Sequence, residues 1–154
     1  MLKRLFLAIA LTIPGTAMAA NNVSLSSDVF VERKVAKPDG TTAVVLEQPK
    51  NVTPGDNLVF VVKYMNVGRA PALDFSVTNP LPKAVAFNGT SDGTEIVSID
   101  GGKTWGPLSA LTYTSANGDV RPALMTDVTH VKWKFNRSLA AGSGGRLMFR
   151  GTVK

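Results

Sequence analysis

The sequence predicts an all-β fold, an antiparallel β-sandwich of about eight to ten strands. Three observations carry this. Short runs of alternating apolar and polar residues are separated by Gly, Pro and Asn turn signals. No 11-to-18-residue window beyond the first residues repeats its apolar positions at helical spacing. Finally, Val52 to Val85 sets out a turn, a largely apolar strand, a glycine corner and a one-sided strand in immediate succession.

Taken in order, Lys3 and Arg4 precede an apolar run from Leu5 to Ile13, a Pro14-Gly15 break and Ala17-Met18-Ala19. A charged start, a short apolar core and small residues at an A-x-A site describe a secretory signal peptide over residues 1–19, with cleavage after Ala19. The apolar run is too short to span a bilayer. The remainder, 20–154, has the usual size of one domain. Losing Lys3 and Arg4 lowers the 17 basic side chains to 15 against 11 acidic ones, a net charge of +4 spread along the chain. That suits weak attraction to an anionic envelope surface and does not announce a nucleic-acid partner. Cysteine is absent, which excludes a disulfide framework, a thiolate nucleophile and a lipidated cysteine. No second long apolar segment follows, so no membrane span is expected after cleavage.

Asn22 to Ala36 reads as one long strand or two colinear ones. Val23, Leu25, Val29, Val31 and Val35 share one parity, and Ser27 and Arg33 interrupt that apolar face, where a bulge or a change of sheet is expected. Lys37-Pro38-Asp39-Gly40 is a tight turn into a strand at Thr42–Glu47. Leu58 to Tyr64 is apolar on both parities and reads as a central strand. Its partner, Ala72 to Thr78, should turn Leu73, Phe75 and Val77 inward and Asp74, Ser76 and Thr78 outward. Lys83–Phe87 and Thr94–Ile99 follow as strands around a polar loop, Asn88–Gly93. Leu108–Thr114 reads as a further short strand, Ser115–Ala123 as loop, and Leu124–Asp127 as a turn of helix. The last two strands alternate plainly: Val131, Trp133 and Phe135 against Lys132 and Lys134, then Leu147, Phe149 and Val153 against Arg146 and Arg150.

The middle of the chain, P-G-D-N-L-V-F-V-V-K-Y-M-N-V-G-R-A-P-A-L-D-F-S-V-T-N-P-L-P, resembles the conserved-repeat surface domains of bacteria and archaea, the family called domain of unknown function 11. The matching positions are Pro54, Gly55, Asp56, Asn66, Gly68, Asn79, Leu81 and Pro82. The resemblance covers about a quarter of the chain. It implies an immunoglobulin-like sandwich in cell-surface proteins with no assigned chemistry. These are turn residues, so they speak to fold more than to function.

Ser98-Ile99-Asp100-Gly101-Gly102-Lys103-Thr104-Trp105 resembles the Asp box, S-x-D-x-G-x-T-W, of sialidases and other propeller proteins, with Ser98, Asp100, Gly102, Thr104 and Trp105 at its fixed positions. Physically it is a hairpin device, with Asp100 accepting hydrogen bonds from loop amides and Trp105 plugging the turn. One copy in a short chain cannot build a propeller. Scattered acids and two tyrosines, Tyr64 and Tyr113, offer no glycosidase constellation. Ala141–Gly145 precedes a strand where a nucleophile elbow needs a helix. His130 has no evident partner. No enzyme, cofactor or metal site is expected. Lys132, Lys134, Arg137, Arg146 and Arg150 would form a basic surface if the last two strands paired; a solvated outer face is the favoured reading.

The expected function is a secreted, non-catalytic structural or adhesive module of a bacterial envelope, periplasmic or extracellular. Self-assembly into fibres through the terminal strands is one route, with itself or other envelope proteins as partners. The rival is a monomeric carbohydrate-binding module for a glycan or anionic polysaccharide. In that case Trp105 and Tyr113 should both be exposed for stacking on sugar rings.

Overall fold

The computed structural model describes residues 22–154. The expected signal peptide, residues 1–19, lies outside the described residues. Among the described residues there are ten strands: β1 (Val23–Ala36), β2 (Thr42–Glu47), β3 (Asn57–Asn66), β4 (Ser76–Pro80), β5 (Val85–Thr90), β6 (Ile96–Ser98), β7 (Thr112–Thr114), β8 (Val120–Pro122), β9 (His130–Lys134) and β10 (Gly144–Val153). They form a five-stranded sheet ordered β2-β1-β3-β10-β5, a three-stranded sheet ordered β4-β9-β6, and the β7-β8 hairpin, all antiparallel. The molecule is an all-β sandwich, as the alternation predicts.

β3 explains why its sequence is apolar on both parities. It sits mid-sheet between β1 and β10. Leu58, Phe60 and Val62 enter the core, while Val59 and Val61 are buried on the opposite face. There Phe30 and Arg150 lie opposite Val59, and Asp28 and Met148 opposite Val61, so cross-strand neighbours cover them.

The core joins the two sheets through aromatic rings. Phe60 and Phe149 stack at 4.4 Å, and Trp133 from the smaller sheet lies 6.1 Å from Phe149. Phe75 and Phe135 stack at 4.3 Å beside Tyr64. Each fully buried ring of this kind contributes roughly 1.5–3 kcal/mol over leaving it in water.

Four expectations need correction. β1 is continuous, with one unbroken register to β3 over Val23–Val31 and to β2 over Val31–Ala36, and carries no bulge. The strand expected from Ala72 begins only at Ser76, because Asp74 adopts φ +48°. That left-handed residue breaks the alternation, so Phe75 and Val77 are buried but Leu73 is 58% exposed. Leu108–Ala110 is a 3₁₀ turn before β7, and the expected loop after it contains β8, whose backbone pairs with β7. The helical turn near Leu124 is present as a 3₁₀ turn, Met125–Asp127.

Candidate functional site

Asp100 organises the hairpin after β6. Its carboxylate accepts N–H bonds from Lys103 at 3.0 Å and Thr104 at 3.0 Å, the Thr104 hydroxyl at 2.7 Å and the Ser98 hydroxyl at 2.7 Å. These donors, Thr104 foremost, hold the carboxyl far below the usual carboxylate range. Gly102, at φ +89°, donates its N–H to Ser98 Oγ and accepts the Trp105 indole N–H at 2.8 Å. Thr129 fastens the hairpin to the chain before β9, donating to the Ser98 carbonyl at 3.0 Å and accepting from Gly101 N–H. The acceptor positions of Asp100 are spent inside its own turn. The arrangement is a staple, and it presents no free carboxylate to a ligand.

The ring of Trp105 is half-buried, with Lys132 Nζ 3.5 Å above it and His130 edge-on at 6.2 Å. Tyr113 is also half-buried and lies under the Arg121 guanidinium at 4.2 Å. Arg121 is itself clamped by Asp127 through bonds of 2.6 and 2.9 Å, which lowers the Asp127 carboxyl below its ordinary range. Each aromatic thus has one face taken by a cation, and each is half-buried rather than exposed. Among the described residues no three His, Asp or Glu side chains converge where they could hold a metal ion.

Most of the resemblance-bearing turn residues brace the strand ends. Gly55, at φ +94°, donates to the Val153 carbonyl, and the Val153 N–H donates to the Asp56 carbonyl, both at 2.9 Å. The Asp56 carboxylate takes Arg33 at 2.5 Å and the Thr53 N–H at 2.9 Å, and Arg33 is the first cause of its lowered pKa. Pro54 is exposed in this turn. At the far end of β3, Asn66 is buried and bonds Ala70, Leu139 and Gly68. Gly68 lies so close to Asn66 and Asn22 that a Cβ would meet them at 3.1 and 3.2 Å. Asn79 donates to the Pro80 carbonyl, Leu81 packs on the core and Pro82 accepts the Val85 N–H.

The basic side chains do not form one surface. β9 and β10 belong to different sheets, so Lys132 and Lys134 project from one outer face of the sandwich and Arg146 and Arg150 from the opposite one. Lys132 covers Trp105, Arg150 donates to Glu32 at 3.1 Å, and Arg137 is exposed beyond β9. Alternation along each strand was read correctly; the pairing on which a single basic surface depended is absent, and periodicity carries no strand order that could have decided it.

The feature that sequence reasoning located only in part is the border of the large sheet. β2 pairs with Val31–Ala36, and no described strand pairs with the outer side of β1 from Val23 to Phe30. Leu25 and Ser27, on the core-facing parity of that stretch, are exposed, Leu25 by 51%. At the opposite border the 3₁₀ turn Met125–Asp127 lies against β5. The C-terminal strand β10 lies between β3 and β5, so both its sides are occupied and it is no free arm. The chain matches no family model, no curated protein and no solved structure.

Proposed function

We propose that the chain is a non-catalytic structural or adhesive module of the bacterial cell envelope, exported by its leader, immunoglobulin-like in kind, and assembling through its N-terminal strand. The observation that carries this reading is the open border of β1 over Val23–Phe30.

An unpaired border of eight residues presents backbone donors and acceptors to any strand laid beside it. Proteins that stay monomeric blunt such borders with lysine, proline or a bulge. This one has none of these devices. Its single charge, Asp28, is bonded to Lys63 of β3 at 2.8 Å. Single-domain envelope proteins gain avidity by joining copies, and strand addition does so without specialised chemistry. The occupied carboxylates and capped rings described above leave assembly as the activity that the geometry supports best.

The test is the size distribution of the mature chain, residues 20–154, by light scattering with negative-stain electron microscopy. Assemblies are expected, and they should disappear in the double variant Ser24→Lys, Ser26→Lys, whose lysines occupy exposed positions of the border. A monodisperse monomer at high concentration, or assemblies indifferent to the lysines, would overturn the proposal.

A further inference from the structure

We infer that the partner at this border is a second copy of the chain, docked by antiparallel β1–β1 pairing about a two-fold axis through Ser26. This rests on the assembly reading and adds its partner and register.

Three constraints fix the geometry. The first is facial. Val23 and Val29 pack on the core from one side of the sheet, while Ser24, Ser26 and Asp28 face the other. A two-fold axis perpendicular to the sheet makes the strands antiparallel and keeps like faces together. An axis along the strands would set the apolar face of one copy beside the polar face of the other.

The second is steric. Glu47 of β2 occupies the place beside Val31, so the open border ends there. Pairing centred on Ser27 would drive Val23 of each copy into the position already held by the other copy's Glu47. Pairing centred on Asp28 would collide further, and would set two carboxylates opposite each other. Centring on Ser26 uses Val23 to Val29, the longest span that avoids collision.

The third is chemical. In that register Val23 faces Val29 of the other copy, and Leu25 faces Ser27, all on the core side. Across the outer face Ser24 meets Asp28, a hydroxyl donor opposite a carboxylate, and the two Ser26 side chains meet at the axis. The two five-stranded sheets then join into one of ten strands. Centring on Leu25 instead would leave Val29 unmatched among the described residues.

The absence of native cysteine makes the register directly readable. Opposed residues of an antiparallel pair lie about 4.5–5.5 Å apart at Cα, within disulfide reach, and a two-residue displacement moves the thiols beyond the limit of about 7 Å. Single variants Leu25→Cys, Ser26→Cys and Ser27→Cys of the mature chain are oxidised mildly and followed on non-reducing gels. Ser26→Cys should form the covalent dimer at least about tenfold faster than the other two, reversibly with reductant. Faster linking by Leu25→Cys or Ser27→Cys overturns the register while leaving border assembly standing. Wild-type assembly with no linking by any variant overturns the two-fold pairing. Absence of wild-type assembly by light scattering overturns the functional reading itself.

Discussion

Replacing Asn66 by Ala tests how the corner after β3 is held. Asn66 is 1% exposed; its amide donates to the Ala70 and Leu139 carbonyls, both at 2.9 Å, and its oxygen accepts the Gly68 N–H at 3.0 Å. Three neutral bonds at about 1 kcal/mol each set the scale of the loss at about 3 kcal/mol. Leaving the partners unpaired adds little here. The Leu139 carbonyl keeps the Ala72 N–H as donor, and Ala70 is exposed enough for water to replace the amide. The expected cost is therefore about 2–3 kcal/mol, or roughly a 10 °C fall in Tm for a chain of this size. Urea unfolding of residues 20–154, followed by tryptophan fluorescence, measures it.

Asn66→Asp sharpens the same test. The new carboxylate would face two carbonyl oxygens in a buried site, which favours its neutral form and raises its pKa above the unfolded value. A raised carboxyl pKa costs nothing extra below the unfolded pKa of about 3.9 and costs progressively more as pH rises through it. The deficit against wild type should grow from pH 4 to pH 7. A loss below about 1 kcal/mol for Asn66→Ala, or a pH-independent deficit for Asn66→Asp, refutes the role assigned to this side chain.

Two further outcomes are expected. Asp100 carries a depressed pKa, so the stability it contributes is present above the unfolded value of about 3.9 and drains away as pH falls below it. Asp100→Asn should lower the urea midpoint at pH 7 and flatten its fall between pH 5 and pH 2, and an unchanged acid slope would contradict the staple. Gly151→Ala would press a methyl group against Val85 Cγ1 and bring it 3.0 Å from the Ala86 carbonyl oxygen, between β10 and β5. Overpacking of this kind costs about 1–3 kcal/mol, and a neutral result in urea unfolding would mean that β5 yields freely.

Strands with a neighbour on each side and a core on one face were legible in the sequence. Val131–Phe135 and Leu147–Val153 display their pleat directly, because burial imposes period two on the residues themselves. The Ser98–Trp105 turn is compact for a related reason, since the hydrogen bonds within it join residues no more than four apart, with Thr129 fastening it from outside. Order between strands was not legible: nothing in Lys132 or Arg146 reveals that β9 and β10 lie in different layers. Leu73 misled for a narrower cause, a left-handed Asp74 that reverses the alternation at one residue without a glycine to announce it.

The two interruptions on the apolar face of β1 carry more meaning than the alternation they break. Ser27 is exposed on the core-facing parity of β1, and the neighbouring Leu25 is exposed on the same side. Arg33 stands beyond the first residues of β3, where β1 continues as a ribbon with β2 alone, and it turns to Asp56 for its partner. Polar residues on the core-facing parity flank Val29–Val31, where Val31 is fully buried and Val29 packs on the core, and Val23 packs on the core again at the start of the strand. β1 is thus anchored by Val31 in the core with Val23 and Val29 packed against it, while Leu25 and Ser27 between them are exposed. That distribution is what strand addition requires: a border held straight by β3 behind it and by Val31 in the core, with its free side facing out.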